Sequence, residues 1–538
     1  MIAYSRSIFM KNNKKIWTIE QYLQDIPYNW RGKFVDTTHN LVNAGFAYKN
    51  IIPNVSSAIF RNTGFKSILN DKNWYKLKLC GDWIFYLNTA MGGRIAYDAS
   101  ATNYYRQHDK NTSGAVMKET NYFTEHEYVS LYIAKHFNTK KINFEKLNTR
   151  LYDMWTHNIN MPKSEFKKFY NLEKILSTKQ ENLNILVASW GFYTGGGETF
   201  PIYLANELKT QGHSITFVSY NKTDHNLGIK NLLDKSIPVL YKQYEPDWDT
   251  IITNFDTEIC YSGHLTVDVD ICTNKKHNKF KHFVTLHGMY EAVPPELVSK
   301  HIKKLKSKID KFIYIADKNL KPFKNNQITI DNKFIKLPNG LPISEPSVIN
   351  RSSLGIPNDA FVMILVSRAI PEKGWTEAIQ ATTILRNTTK CNAHLILLGD
   401  GEMYNKLKDN CPEYIHLLGF KQNTRDYISM ADLFVFPTYF PGESFPLVLI
   451  DSIFCNTPVV ATNIAEIKNM LTIDDQTLGS VFDLDNNQQI STEKLVECIK
   501  KNMHTKQDKQ FQKLNSELKK RYDIKNVAKM YQDIFSAK

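Results

Sequence analysis

Apolar and polar positions follow two alternating patterns from residue 182 to the end of the chain. Short continuous apolar runs, for example at 182–190, 283–288 and 361–366, are typical of buried parallel strands. Between such runs, apolar residues recur at helical spacing, as at 200–208, which indicates helices with one buried face. This alternation predicts an α/β fold with doubly wound, mostly parallel sheets.

The first 181 residues carry a different pattern. Strand patterns at 51–61 and 95–97 flank a helical one at 78–87, so we expect residues 1–137 to form an α/β segment of their own. A Lys- and Asn-rich stretch with scattered aromatic residues, 138–181, predicts a helical linker. The later alternation divides into two units, 182–345 and 346–538, and it ends in an amphipathic helical tail.

Length and composition fit this division. A chain of 538 residues exceeds one hydrophobic core, and its 42% hydrophobic content favours folded domains over disorder. The longest apolar runs are too short to span a membrane, and the first residues lack the apolar core of a signal peptide. Seven scattered cysteines without a Cys-x-x-Cys pair indicate thiols in a reducing compartment. We therefore expect a cytoplasmic protein.

The net charge of +14 indicates an acidic partner. Nucleic acid, an anionic membrane surface and a phosphorylated substrate all fit such an excess of positive charge. A single Lys-rich stretch such as 301–308 can also be the solvated face of a helix. The sequence contains no nucleic-acid-binding motif, so we expect no nucleic acid partner. A phosphorylated substrate is the first candidate, and the inner face of the membrane is a second.

A glycine-rich turn joins the first strand of the 182–345 unit to its helix. Gly195, Gly196 and Gly197 stand at the predicted helix N-terminus, where N–H groups and the helix dipole suit a phosphate. The spacing is not Gly-x-Gly-x-x-Gly, which disfavours a nicotinamide cofactor. Such a turn can equally be structural. It is one candidate site for a phosphorylated ligand.

Two further residues are candidates for a ligand contact. His287 follows an apolar run, at the carboxyl end of a predicted strand, although a lone histidine there can be structural. Asn339 lies in the tripeptide Pro-Asn-Gly between the two later units, where an ordinary Asn-Gly turn is the alternative interpretation. Because His287 lies at the end of a predicted strand, we modestly favour a ligand contact for it over a structural role.

Two cations bracket the loop that follows the apolar run 361–366. Arg368 and Lys373 can both converge on one anion, the arginine in bidentate fashion and the lysine as a point charge. The alternative is ion pairing with the neighbouring Glu372. We favour an anion site at this loop.

The stretch 442–451 places two carboxylates at the start of a predicted helix that follows a buried strand. The helix is expected over about 444–454, with Ser444 and Asp451 on one side of it. Glu443 and Asp451 would lie roughly 12 Å apart along the axis, so they cannot share one proton. They serve different parts of one extended ligand, or else Glu443 complements the helix dipole and Asp451 is solvated.

These stretches, taken in order, resemble the retaining glycosyltransferases of family 4, whose GT-B fold has two Rossmann-like domains. The resemblance covers about 182–538 and rests on the glycine turn, the Arg368–Lys373 loop and a Glu-x7-Glu signature in which Asp451 replaces the second glutamate. It implies a last helix that crosses back to the first Rossmann-like domain. It implies a nucleotide diphosphate sugar as substrate, with neither cofactor nor metal.

The same resemblance assigns roles to the candidate residues. Those expected at the reacting centre are Glu443 beside the donor sugar, His287 at the sugar, and Arg368 and Lys373 at the leaving diphosphate. Those expected to bind the donor are Gly196, Gly197, Asn339, Ser444, Phe445 and, at the ribose, Asp451.

The first segment resembles the C-terminal half of a family 2 glycosyltransferase of the GT-A fold. Asp82 matches the candidate general base at the acceptor, and Arg106 and His108 match an Arg-x-His near the diphosphate or its metal. A helix-capping Asp82 and a surface histidine are the alternative. No nucleotide-binding half precedes this segment, so we expect a partial GT-A-like segment without activity of its own, unless the chain was read from an internal start.

The expected reaction is transfer of a sugar to an acceptor hydroxyl with retention of configuration. The acceptor would be a glycan or a lipid-linked molecule, in bacterial surface polysaccharide or glycoconjugate synthesis. A non-catalytic sugar- or partner-binding protein derived from a glycosyltransferase is the alternative, because the first segment is incomplete and Asp451 departs from the signature.

Overall fold

The computed structural model describes residues 2–61, 73–107, 119–179, 182–221, 226–244, 247–274 and 280–537. Over these residues the chain forms three α/β units in sequence order, each built on its own sheet. The predicted alternation of strand and helix after residue 182 is confirmed. Both later sheets are parallel throughout the described residues.

The first unit contains a mixed sheet in the order β2-β1-β5-β3, with β4 paired to β1. Its strands are β1 (Ile2–Lys11), β2 (Lys14–Thr18), β3 (Lys33–Thr37), β4 (Ala58–Phe60) and β5 (Arg94–Gln107). Strands β1 and β5 run parallel, and the other pairings are antiparallel. The helices Ile19–Tyr22, Thr38–Leu41 and Gly81–Ala90 connect these strands.

The described part of the stretch 138–181 does not form a linker between units. The helices Thr120–His136, Lys141–Asn158, Phe166–Phe169 and Leu172–Thr178 follow β5. Trp155 and Ile175 from these helices, and Tyr170 between the last two, belong to the same buried cluster as Ile2 of β1. The stretch is helical, as predicted, but its large apolar side chains complete the core of the first unit.

The second unit contains a parallel sheet in the order β12-β11-β10-β9-β6-β7-β8. Its strands are β6 (Asn184–Ser189), β7 (Ser214–Ser219), β8 (Val239–Tyr241), β9 (Ile259–Ser262), β10 (Lys281–Leu286), β11 (Lys311–Tyr314) and β12 (Phe334–Lys336). Its helices are Gly196–Thr210, Leu227–Lys230, Trp248–Asn254, Leu265–Asn274, Met289–Ala292, Pro295–Lys308 and Lys321–Asn325. Alternate strand residues belong to one buried cluster on one face of the sheet and to two on the other, so both faces are covered.

The third unit contains a parallel sheet in the order β15-β14-β13-β16-β17-β20. Its strands are β13 (Phe361–Val366), β14 (Ala393–Leu398), β15 (Ile415–Gly419), β16 (Leu433–Phe436), β17 (Val459–Thr462) and β20 (Gly479–Phe482), and a small ladder joins β18 (Thr472–Ile473) to β19 (Gln476–Thr477). Its helices are Trp375–Thr389, Glu402–Leu407, Thr424–Met430, Leu447–Phe454, Ile467–Leu471, Thr492–Asn502 and Lys509–Tyr522.

The last helix, Ile524–Ser536, returns to the second unit. Val527, Tyr531 and Phe535 of this helix pack with Phe200 in the core of the second unit. Leu341, in the segment between the two units, accepts from Ile524 N–H and donates to the Tyr522 carbonyl at 3.0 Å each. The second and third units are therefore joined both by the segment that contains Leu341 and by the last helix.

The first unit contacts the second near β7. Gly92 has φ +67°, and a Cβ at this position would collide with the Ile215 carbonyl, so the close approach requires glycine. Thr216 donates a hydrogen bond to the Gly92 carbonyl. Among the described residues, no helix is both long and apolar enough to cross a membrane.

Candidate functional site

A cavity of about 760 Å³ lies between the second and third units. It opens where the carboxyl ends of both parallel sheets face each other, which is where open α/β sheets bind ligands. The candidate residues from both units all line it: Gly196, Gly197, His287, Asn339, Arg368, Lys373, Glu443, Ser444, Phe445 and Asp451. The structure thus brings together residues that are widely separated in sequence.

The glycine turn forms one wall of the cavity. The helix Gly196–Thr210 begins at Gly196, so its first N–H groups lie at the cavity. A Cβ on Gly196 would lie 3.4 Å from Leu447 of the third unit, and one on Gly197 would lie 3.4 Å from the His287 Cβ. Small residues therefore keep this wall close to the opposite unit.

His287 follows β10 and its imidazole is buried beside the glycine wall. Its ring lies edge-on to Phe200, with the ring centroids 5.7 Å apart. Neither ring nitrogen has a hydrogen-bond partner within the described residues. Burial lowers the pKa of His287 to about 3, so the ring is neutral at physiological pH. A neutral imidazole can donate one hydrogen bond and accept another, which suits a sugar hydroxyl.

Arg368 and Lys373 converge as the sequence predicts. The guanidinium carbon of Arg368 and the Lys373 Nζ lie 5.0 Å and 4.7 Å from the centroid of the Phe440 ring. Gly374, with φ +72°, ends the turn Pro371–Lys373, and a Cβ there would collide with the Pro437 carbonyl. The turn is therefore tight enough to direct Lys373 inward. Arg368 is exposed and Lys373 is buried.

Lys373 is paired with Glu443 across the third unit. Lys373 Nζ donates to Glu443 Oε2, and the two side chains are only 8% and 10% exposed. Thr438 Oγ1 donates to the same oxygen at 3.4 Å. The buried cation and the buried carboxylate neutralise each other, which lowers the cost of holding either one inside the protein.

The helix that carries Asp451 is shorter than predicted. It spans Leu447–Phe454, with Pro446 at its N-cap, whereas the sequence predicted a start at about Ser444. A residue that precedes proline is disfavoured in the helical conformation, so Ser444 and Phe445 lie in the loop before the helix. Glu443 is thus a loop residue and does not lie in the first turn of the helix.

Asp451 is neither solvated nor isolated. Its Oδ1 accepts from Arg425 Nε at 2.7 Å. Burial raises the pKa of Asp451, and the adjacent Arg425 guanidinium opposes that increase. The sequence does not point to Arg425, which is 26 residues away and lies in a different helix, Thr424–Met430. Nothing in the sequence pattern links the two positions.

The second unit contacts the loop that carries Glu443 and the residues around it. Lys318 Nζ donates to the Pro441 carbonyl at 2.9 Å, and Lys336 of β12 pairs with Glu466 at 2.7 Å. Asn339 is almost fully buried, and its Oδ1 has no hydrogen-bond partner among the described residues. Contacts between the units therefore fix the cavity wall opposite the glycine turn.

The candidate residue of the first unit that the structure describes, Asp82, lies elsewhere. Asp82 stands in the first turn of the helix Gly81–Ala90, whose N-cap is Cys80, so Asp82 does not cap that helix. Asn50 Nδ2 donates to it at 3.4 Å, and burial raises the pKa of Asp82 to about 6. Asp82 does not line the cavity, and His108 falls outside the described residues. Among the described residues, no cluster of three or more His, Cys, Asp or Glu could hold a metal ion.

Comparison with known proteins defines the class of the later units. Residues 348–515 match the family Glycosyl transferases group 1. The structure of Anabaena HepE in complex with UDP superposes with a TM-score of 0.54 at 17% identity, over 65% of this chain and 99% of that one. The two parallel-sheet units thus have the GT-B fold, and most of the third unit is similar to the group 1 glycosyltransferases.

Relatives in sequence agree with this class. An uncharacterized glycosyltransferase of Methanocaldococcus jannaschii is 24% identical over 318 residues, which are 54% of this chain and 76% of that protein. The UDP-Gal:alpha-D-GlcNAc-diphosphoundecaprenol alpha-1,3-galactosyltransferase of Escherichia coli is 26% identical over 147 residues, 24% of this chain and 37% of that protein.

Proposed function

We propose that the chain transfers a sugar from a nucleoside diphosphate sugar to an acceptor hydroxyl, with retention of configuration. The observation that carries this proposal is the convergence of two cations, a helix N-terminus and two separate carboxylates on one cavity between two Rossmann-like units. The cavity has the size that a small-molecule ligand of this kind requires.

The diphosphate binds at Arg368, Lys373 and the N-terminus of the helix Gly196–Thr210. Negative charge develops on the diphosphate as the bond to the sugar breaks, and prearranged positive groups stabilise that charge. Arg368 is exposed and can approach the diphosphate directly. Lys373 meets it from the buried side, with Glu443 fixing its position. The proposal requires neither a metal ion nor a cofactor.

The sugar binds between His287 and Glu443. His287 is neutral and offers its two ring nitrogens to sugar hydroxyls. The Glu443 carboxylate lies where it can stabilise positive charge on the reacting sugar carbon. We favour attack by the acceptor from the face that the leaving diphosphate vacates, because the sequence places no second carboxylate beside Glu443. Asn339, Ser444 and Phe445 shape the same wall.

The nucleoside extends toward Asp451. The hydroxyl groups of a ribose are hydrogen-bond donors, and a carboxylate is the matching acceptor. Asp451 lines the cavity and presents such a carboxylate. Its side chain is shorter than the glutamate of the family 4 signature, so the ribose must lie closer to the helix Leu447–Phe454.

The acceptor is a glycan or a lipid-linked molecule, and the pathway is bacterial surface polysaccharide or glycoconjugate synthesis. The name of the Escherichia coli relative, which acts on a diphosphoundecaprenol-linked sugar, supports a lipid-linked acceptor. The net charge of +14 supports a cytoplasmic protein that works at the anionic inner face of a membrane. Nucleic acid is not part of this proposal.

The first unit acts as a docking element without catalysis of its own. It resembles part of a GT-A enzyme, and none of its described residues lines the cavity. Its packing against β7 through Gly92 places it beside the second unit, on which we expect the acceptor to bind.

A panel of nucleoside diphosphate sugars tests the proposal. One member should raise the melting temperature of the full chain, because a ligand that binds only the folded state stabilises it. The same member should release nucleoside diphosphate slowly without an acceptor. With the acceptor supplied, the anomeric configuration of the product, read by proton NMR, should match that of the donor. Stabilisation without any turnover would instead favour a non-catalytic sugar-binding protein.

A further inference from the structure

Arg425 does not line the cavity, yet its guanidinium is fixed from three sides. Its Nε donates to Asp451 Oδ1 at 2.7 Å. Its NH1 nitrogen donates to the Pro342 carbonyl at 2.7 Å and to Ser344 Oγ at 2.9 Å. The guanidinium carbon lies 5.0 Å from the centroid of the Phe454 ring, on the helix that carries Asp451.

These contacts join three parts of the chain. Pro342 and Ser344 belong to the segment that connects the second and third units, three and five residues after Asn339 of the cavity wall. The next residue of the same helix, Asp426, accepts from Ser347 N–H at 2.7 Å. The connecting segment and the Asp451 carboxylate are thus anchored to the same helix turn.

We propose that Arg425 is a positioning residue that holds Asp451 in the one orientation that receives the hydroxyl groups of a nucleoside ribose. This inference rests on the proposed function and extends it, because it identifies a part of the nucleotide subsite that does not touch the nucleotide. Arg425 engages one carboxylate oxygen and leaves Oδ2 for the ligand. The guanidinium bonds Pro342 and Ser344 through a second nitrogen, so its Nε holds Asp451 Oδ1 in a defined place, and a lysine has no second nitrogen for those contacts.

The pairing also compensates for the short side chain. An aspartate that lines a largely buried cavity without a cation would be driven toward its neutral form, which is a poorer acceptor for hydroxyl groups. The Arg425 charge opposes the rise that burial causes in the pKa of Asp451, and it thereby favours the ionised carboxylate. An Asp451–Arg425 pair therefore offers a charged acceptor at a fixed depth in the cavity.

The test uses the full chain with UDP, CDP, ADP and GDP. The diphosphate that stabilises the wild type most is titrated by calorimetry, together with its 2′,3′-dideoxy counterpart, which lacks both ribose hydroxyls. The measured quantity is the dissociation constant of the dideoxy compound divided by that of the diphosphate with both hydroxyls. We call this quotient the ratio. A purely structural arginine would change the melting temperature and leave this ratio unchanged.

Four variants and one matched control are compared. Arg425→Gln, Arg425→Lys, Asp451→Asn and the double variant Arg425→Gln/Asp451→Asn test the pair. Arg351→Gln is the control, because Arg351 also bonds an aspartate, Asp432, at 2.9 Å and backbone carbonyls in the same unit, away from the cavity.

We expect Arg425→Gln to weaken diphosphate binding about tenfold and to reduce the ribose preference to that of Asp451→Asn. The double variant should be no weaker than the weaker single variant, since both changes remove one shared interaction. Arg425→Lys should have an affinity and a ribose preference between those of the wild type and Arg425→Gln. It replaces Arg425→Gln in the comparison if the glutamine variant does not fold. Arg351→Gln should keep the wild-type ratio.

An unchanged ratio in both Arg425 variants would overturn the positioning role while leaving the proposed function intact. If Asp451→Asn lowers the ratio and neither Arg425 variant does, Asp451 contacts the ribose without help. If the wild type binds none of the four diphosphates, the proposed function and this inference both fail.

Discussion

Lys373 and Glu443 are bonded to each other inside the cavity, although each alone is a group that a donor substrate would need. The ion pair is 8% and 10% exposed, and Thr438 supports the carboxylate. A diphosphate that approaches Lys373 therefore meets a cation whose charge is already shared. In the proposed reaction we expect the pair to set the position of the carboxylate relative to the sugar, so that the two groups act as one unit.

Glu443→Gln separates binding from chemistry. The amide keeps the size of the side chain and one hydrogen bond to Lys373, but it loses the negative charge that faces the sugar. We expect kcat to fall about 100-fold or more while the dissociation constant for the donor changes little. Single-turnover kinetics and calorimetry give the two values separately. A loss of affinity with kcat preserved would contradict the role at the reacting centre.

Arg368→Ala removes a cation without disturbing the core. Arg368 is exposed, so we expect an unchanged melting temperature. Turnover should be about 100- to 1,000-fold lower, since one lost contact to a developing anion corresponds to about 2.7–4 kcal/mol. Arg521→Ala is a matched control, because Arg521 is also exposed and lies over an aromatic ring, 5.6 Å from the centroid of Tyr522. Equal turnover in the two variants would show that Arg368 does not contribute to the diphosphate site.

Much of this arrangement could be predicted because parallel strands align their carboxyl ends. Once the apolar runs before His287 and Arg368 were recognised as strands, both residues had to lie at the same edge of their sheets. The pairing of Lys373 with Glu443 could not be predicted, because it depends on a tight turn closed by Gly374 against Pro437. The nearby Glu372 was the only partner that sequence spacing suggested.

Two other errors have physical reasons. The helix at Asp451 was predicted three residues too long, because the apolar periodicity continues through Ser444 and Phe445 although Pro446 shifts the helix start to Leu447. The stretch 138–181 was predicted as a linker because of its polar composition. Several of its large residues, such as Trp155, are fully buried and decide where the helices pack.

Asp268 makes stability depend on pH. It is fully buried in the second unit, accepts from Ser262 Oγ at 2.5 Å and from the Tyr290 hydroxyl at 2.9 Å, and burial raises its pKa to about 7. His282 contacts the same serine at 2.8 Å. The folded protein therefore keeps a proton that the unfolded chain loses near pH 4. This contribution to the free energy of unfolding declines from about pH 4 to about pH 7 and is constant above.

Asp268→Asn should flatten that pH profile. The neutral amide keeps its size and has no proton to lose, so the fall in melting temperature between pH 5 and pH 8 should shrink by several degrees relative to the wild type. Thermal melts of both proteins at pH 5 and pH 8 measure this fall in melting temperature. Parallel profiles for the two proteins would show that the Asp268 carboxyl titrates equally in the folded and unfolded chains.

Asp82→Asn tests whether the first unit takes part in chemistry. Asp82 lies in the first unit, away from the cavity, so we expect hydrolysis of the nucleoside diphosphate sugar to proceed at the wild-type rate. Initial rates of diphosphate release, with and without a chelator, measure this. Loss of transfer in the variant, or a requirement for a divalent metal, would indicate a second working site in the first unit.

The release of nucleoside diphosphate from its sugar by wild type and Lys373→Ala tests the central claim most directly. Lys209→Ala is the control, because Lys209 is also paired with a carboxylate, Asp234, at 3.3 Å but lies outside the cavity. We predict measurable release by the wild type and the Lys209 variant, and at least a 100-fold slower rate for a folded Lys373→Ala. Equal rates in all three proteins, or no release by the wild type from any donor in the panel, would contradict a sugar-transfer site in this cavity.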